Sequence, residues 1–180
     1  MKKFLSVLVL IVIGGWSFIG CTKEKAGQVV EYDFETGVTG WHALGKAQIA
    51  QDTTRQHDGK ASMKIAGTGQ SGLWSFAQSD KIKMESGKSY RFSGWMLIDS
   101  ISENTSHFKC EFWQDGKWLK NVESVKYDLI KKGQWQELTA EFTVPDEKGI
   151  LLDFAIEKRP MEKNIEAAIY IDSIKLQMVK

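Results

Sequence analysis

From residue 29 to the end of the chain, apolar and polar residues alternate with a period of two over short stretches, and no apolar stripe with helical spacing persists. This pattern predicts strands over residues 29–34, 61–66, 90–98, 107–113, 137–144, 150–157 and 168–178. Asp58-Gly59, Ser86-Gly87, Asp115-Gly116, Lys132-Gly133 and Pro145-Asp146 punctuate them as turns, and residues 73–78 form a further strand-like run. Many short strands with such punctuation imply an all-β fold, a β-sandwich jelly roll of two antiparallel sheets. No repeat or low-complexity segment interrupts residues 29–180, which read as one domain.

Alternation also assigns faces. In 90–98, Tyr90, Phe92, Gly94 and Met96 share the core side, leaving Arg91, Ser93, Trp95 and Leu97 outside. In 107–113, Phe108, Cys110 and Phe112 point inward, whereas Lys109, Glu111 and Trp113 point outward. Each of these strands therefore sets a Trp beside charged residues on an outer face.

The chain starts differently. Lys2 and Lys3 precede an apolar run over 4–13, and the stretch ending at Cys21 has the charge and length of an export signal. Phe18-Ile19-Gly20-Cys21 resembles the bacterial lipobox, although Leu is usual where Phe18 stands. The implied organisation is a lipoprotein leader over 1–20, then a lipidated (palmitate-bearing) Cys21 and polar tether over 21–28. An uncleaved membrane anchor is the competing reading, and both place the domain outside the cytoplasm, on a bacterial cell membrane or outer membrane.

Composition narrows function. The 24 basic and 23 acidic residues leave a net charge of +1, too little to steer the protein onto nucleic acid. With only two cysteines, no disulfide framework is expected, and Cys110 reads as a small buried apolar residue between Phe108 and Phe112. Gly67-Thr68-Gly69-Gln70-Ser71-Gly72 fits a dinucleotide-binding pattern by letter, but a strand-like run follows it instead of a helix. It reads as a loop. Seven Trp is a high count and demands placement.

Several local patterns, in one order along residues 29–180, resemble the jelly-roll carbohydrate-binding modules of families 4, 9 and 22. They are Tyr32-Asp33-Phe34-Glu35-Thr36-Gly37 with Gly40-Trp41, His57 to Ile65, Gly87-Lys88-Ser89-Tyr90-Arg91-Phe92-Ser93-Gly94-Trp95, Gly133-Gln134-Trp135, and Ile169 to Ile174. The resemblance implies non-catalytic binding of a polysaccharide or oligosaccharide, here by a monomer that the lipobox-like leader would tether to a membrane. It implies a structural calcium held by Glu35 and Asp172, with backbone oxygens of Asp33 and Lys60. It also places a sugar-stacking aromatic at Trp74, with Trp95 or Trp113 as a second platform and Trp118 at the rim. Trp41 and Trp135 match packing positions. Arg91, Glu111 and Glu157 are the candidates for bonding sugar hydroxyls, which need polar groups beside a flat apolar surface.

Two other classes remain open. A glycoside hydrolase would need two carboxyl groups flanking a cleft, for which Glu111 and Glu157 on neighbouring strands are the available pair. A structural or protein-interaction lipoprotein would use the same sandwich without a sugar ligand.

Overall fold

The structure, a computed structural model, describes residues 28–179; the leader and Cys21 lie outside the described residues. The chain forms β1 (Gln28–Tyr32), β2 (Trp41–Ala43), β3 (Lys46–Asp52), β4 (Ser62–Gly69), β5 (Ser75–Ser79) and β6 (Ile82–Lys83). It continues through β7 (Ser89–Ile101), β8 (Phe108–Gln114), β9 (Lys117–Glu123), β10 (Gln136–Thr143), β11 (Leu151–Glu157) and β12 (Ile165–Met178). These strands form two six-stranded antiparallel sheets. The first has the order β10-β7-β12-β4-β3, with β1 also on β12; the second has β2-β5-β11-β8-β9, with β6 also on β11.

The seven predicted strands are all present, because each carries a run of alternating residues long enough to bury one face. The core between the sheets follows that alternation. Tyr90, Phe92 and Met96 of β7 and Phe108, Cys110 and Phe112 of β8 are all buried. Phe92 sits 5.0 Å from both Phe108 and Phe154, so three rings from the two sheets share one cluster. Gly94 is what lets them meet. A Cβ there would lie 2.9 Å from Phe108 Cζ, closer than packed carbon atoms approach. Cys110 is buried as expected, and burial pushes its thiol up, away from reactivity.

The loop from Asp52 to Ala61 folds over the outer face of the first sheet. Its His57 ring stacks on Trp95 with centroids 3.6 Å apart, and Trp135 meets His57 edge-on at 5.9 Å. Arg55 reaches the ring of Tyr170 and the carboxylate of Asp99. The part of that face around Trp95 and Tyr170 is thus covered by its own chain. The outer face of the second sheet is left open, and this difference decides where a ligand can bind.

Candidate functional site

On the open face of the second sheet, residues of β5, β11, β8 and β9 form a groove of about 560 Å³. Its rows follow from strand register. Leu151 of β11 lies opposite Trp113 of β8, which lies opposite Trp118 of β9. Two residues along, Asp153, Glu111 and Asn121 form the next row. The third row runs Gln78, Ala155, Lys109 and Glu123, with Ala155 buried between two longer side chains. Beyond it stand Glu157, Arg159 and Trp74.

Trp74 stands just ahead of β5, next to a bulge in that strand. Ser75 pairs with Glu157 but Ala77 pairs with Ile156, so Phe76 is an extra residue in β5. The extra residue puts Ser75 in the outer row with Glu157 and leaves Phe76 fully buried, while Trp74, just ahead of the strand, is 53% exposed. Trp118 is also 53% exposed, and the two indoles stand toward opposite ends of the groove. Trp113 is different. It lies deeper, and Lys81 Nζ covers its ring at 3.8 Å from the centroid, a cation–π contact that occupies one face.

The floor is a connected set of charges. Lys109, 4% exposed, sets its ammonium 2.9 Å from Glu111 Oε1 and 3.0 Å from Glu157 Oε2. Arg159 Nε donates to Glu157 Oε1 at 2.7 Å, and its terminal nitrogen donates to Glu123 Oε1 at 2.9 Å. Gln78 donates from its amide to Asp153 Oδ2 at 2.8 Å and to Glu111 Oε2 at 3.2 Å. Buried charges persist only when paired in this way. His107, just beneath Glu157, is buried, and desolvation pulls its pKa down despite the nearby acids Glu157 and Glu123. Asp153 is the contrary case. Burial pushes it up to about 6; the Gln78 bond opposes that rise and the charge of Glu111 adds to it.

Of the residues expected to bind sugar, the fold brings Trp74, Trp113, Trp118, Glu111 and Glu157 into this groove. It does not bring Arg91 or Trp95. Both lie on β7 of the first sheet, where Arg91 faces outward between Glu141 and Gln177 and Trp95 is covered by His57. β7 and β8 belong to different sheets, so the outer sides of these two strands point away from each other. Gln78, Lys109, Asn121, Glu123 and Arg159 complete the groove without having been singled out from the sequence. Lys109 alone carried a signal, its outward place beside Glu111.

Glu35 and Asp172, 137 positions apart, converge on one turn. Glu35 Oε1 accepts from the amides of Lys60 and Ala61 at 2.8 and 3.1 Å. Asp172 Oδ2 accepts from those of His57 and Asp58 at 2.8 and 3.1 Å. Burial raises the pKa of Asp172, against these bonds and that of Ser173. Among the described residues no Lys or Arg lies within ion-pair distance of either acid, and no group of three or more His, Cys, Asp or Glu could hold a metal. Any cation here would have to draw most of its ligands from backbone oxygens, since these carboxylates already accept backbone amides.

A family model described as a carbohydrate binding domain matches residues 26–163. Endo-1,4-beta-xylanase A of Thermotoga maritima is 27% identical over 157 residues, a match covering 86% of this chain and 14% of that enzyme. The corresponding xylanase of Thermotoga neapolitana is 27% identical over 160 residues, covering 86% of this chain and 15% of the enzyme. The chain therefore spans only a small part of these curated relatives. Among solved structures, the CBM22-1 xylan-binding domain of Paenibacillus barcinonensis Xyn10C superposes with a TM-score of 0.62 at 18% identity, over 87% of this chain and 97% of that domain. The CBM22-1–GH10 modules of Clostridium thermocellum Xyn10B, complexed with xylohexaose, give 0.63 at 18% identity, over 86% of this chain and 29% of that one. At such identity these structures speak to the fold.

The raised pKa of Asp153 has a measurable consequence. The folded state holds this proton more tightly than the unfolded state, so the associated stability is complete below about pH 4 and is lost as pH rises to about 6. Asp153→Asn keeps a neutral group there throughout. Its thermal midpoint relative to the parent should therefore climb between pH 4 and 6 and level off above. A difference that stays constant over this range would show that Asp153 does not titrate there.

Proposed function

This chain belongs to the carbohydrate-binding domain family, and we propose that it is a non-catalytic binder of xylan-type polysaccharide, held outside the cytoplasm by a lipid on Cys21. One observation carries the binding role: two half-exposed indoles, Trp74 and Trp118, stand at the two ends of a groove whose floor is lined with fixed hydrogen-bonding groups. A sugar ring offers C–H faces that cover an indole and hydroxyls that both donate and accept. Glu111, Gln78, Asn121 and Arg159 are placed to meet the hydroxyls. Such bonds mostly replace bonds to water and each contributes about 0.5–1.5 kcal/mol, so the stacking surfaces must supply the remainder. The choice of xylan rests on the names of the relatives and structural neighbours.

The groove argues for binding over hydrolysis. Glu111 and Glu157 lie close together, but the ammonium of Lys109 stands between them, in the space that a scissile bond and an attacking water would need.

Calcium belongs to the same reading. Glu35 and Asp172, with backbone oxygens of Asp33 and Lys60, would hold the ion and pin the end of β1, the 57–61 turn and β12 together. The lipid reading rests on the lipobox-like Phe18-Ile19-Gly20-Cys21, and its several buried methylenes would each contribute about 0.8 kcal/mol to membrane retention.

Three measurements test these statements. In affinity electrophoresis through xylan, Trp74→Ala and Trp118→Ala should each weaken binding about thirtyfold with little change in thermal midpoint, since an anchoring indole often contributes 2 kcal/mol or more. Trp95→Ala, on the covered face, should leave binding intact. If the parent chain migrates freely through xylan and other glycans, the interaction-protein reading takes over. The thermal midpoint of calcium-loaded protein should lie above that of metal-stripped protein and fall to it when a chelator is added, because a ligand bound only by the native state stabilises it; coincident midpoints with and without chelator remove the calcium. Cys21→Ser should abolish lipid labelling and leave precursor unprocessed, whereas normal processing and membrane retention would point to an uncleaved anchor.

A further inference from the structure

Beneath the Trp74 end of the groove lies a charge that the ligand-facing network does not use. Lys158, fully buried, follows β11 and directs its ammonium away from the groove into the loop that comes next. Nζ donates to the carbonyl oxygens of Pro160 at 3.1 Å, Met161 at 2.8 Å and Lys163 at 2.5 Å. All three donors of the ammonium are thereby matched to backbone acceptors, the arrangement a buried lysine requires. Burial lowers the pKa of Lys158, and the acids Glu162 and Glu157 offset part of that.

The loop held by this ammonium in turn holds the loop that carries Trp74. Gly72 N–H donates to Met161 O at 2.9 Å, Ser71 Oγ donates to Glu162 O at 2.8 Å, and Ser71 N–H donates to Asn164 Oδ1 at 2.8 Å. Lys158 closes the circuit through its own backbone, since its N–H donates to Trp74 O at 2.9 Å. The stem of Lys158 also explains a glycine. A Cβ on Gly69 would lie 2.8 Å from Lys158 Cδ and closer still to Phe76 Cε1, so any side chain there would push against the lysine stem and the bulged residue two positions after Trp74.

We propose that Lys158 is a positioning residue for the glycan site: through its cage of carbonyls it locks residues 158–164 against residues 70–74 and fixes the Trp74 indole before any sugar arrives. A platform already ordered in the free protein binds without the loss of freedom that a mobile loop would suffer on stacking. The inference rests on the reading of Trp74 as a sugar platform, but its structural half can be measured without a ligand.

Lys158→Met keeps the apolar stem and removes the three donors. Amide hydrogen exchange of this variant should quicken about tenfold or more in both segments, 70–74 and 158–164, while the first sheet keeps its protection. Binding to xylan should weaken about tenfold. In a Trp74→Ala background the same substitution should have almost no further effect on binding, because a residue that acts through Trp74 has nothing left to act on. Should Lys158→Met fail to fold, Asn164→Ala cuts an exposed link of the same circuit and should quicken exchange in 70–74 alone. Unchanged exchange in both variants overturns the proposal. So does an equal loss of binding with and without Trp74. If exchange quickens as expected but neither parent nor variant binds any glycan, the positioning role stands and the carbohydrate reading falls.

Discussion

The open face depends on one ammonium that scarcely touches water. Lys109 projects from the middle of β8 into a patch that would otherwise bring Glu111 and Glu157 together with no cation between them. Two carboxylates so placed repel each other and resist burial, and the shared lysine turns that liability into a rigid floor. Because Arg159 then takes the other oxygen of Glu157 and passes on to Glu123, the charges form a chain along the groove. Such a chain holds each polar group at a set height, and the groove keeps its shape without a ligand. The same residues could have been exchanged for apolar ones at little loss of stability, so their presence fits a surface meant for a polar, uncharged partner rather than a protein interface core.

The two faces of the sandwich have diverged through their loops. On the first sheet, the 52–61 segment lies across the strands and uses its His57 and Arg55 to cover Trp95 and Tyr170. It is held down from beneath by the carboxylates of Glu35 and Asp172, which accept its backbone amides. On the second sheet, the corresponding space is free because its neighbouring loops are tied to each other at the rim. An aromatic residue on the first sheet therefore packs, whereas one at the edge of the second is available to stack.

This divergence marks the limit of what sequence pattern can reveal. Strand positions and core residues were legible, because alternation reports which side of a strand is buried. Trp113, Glu111 and Glu157 could be named because they combine an outward place with suitable chemistry, whereas Trp74 rested on the family resemblance and Trp118 on its place after the Asp115-Gly116 turn. Trp95 and Arg91 satisfied the same criterion and yet lie on the opposite face, since alternation distinguishes inside from outside but not one sheet from the other. Bulges hid more. The extra residue at Phe76 moves Ser75 onto the groove side relative to simple counting from Gln78, and a second irregularity where Phe112 and Trp113 meet β9 masks the alternation that would have exposed Asn121 and Glu123. Arg159 stands past the end of its strand, and Gln78 has no chemistry that distinguishes it from a solvated amide until Asp153 is seen beside it.

The buried lysines complete the physical picture, because Lys109 and Lys158 do opposite things with the same group. Lys109 pairs its charge with two carboxylates and is thereby part of the electrostatic surface of the groove. Lys158 spends its donors on backbone carbonyls, which carry no net charge, and so contributes geometry alone. The two are coupled at Trp74 O, which accepts the amide of Lys158 at 2.9 Å and lies 3.5 Å from the ammonium of Lys109. A single carbonyl thus joins the charged floor to the rigid rim. The backbone that carries the indole is thereby held from both sides, which is what a fixed stacking surface on a loop requires.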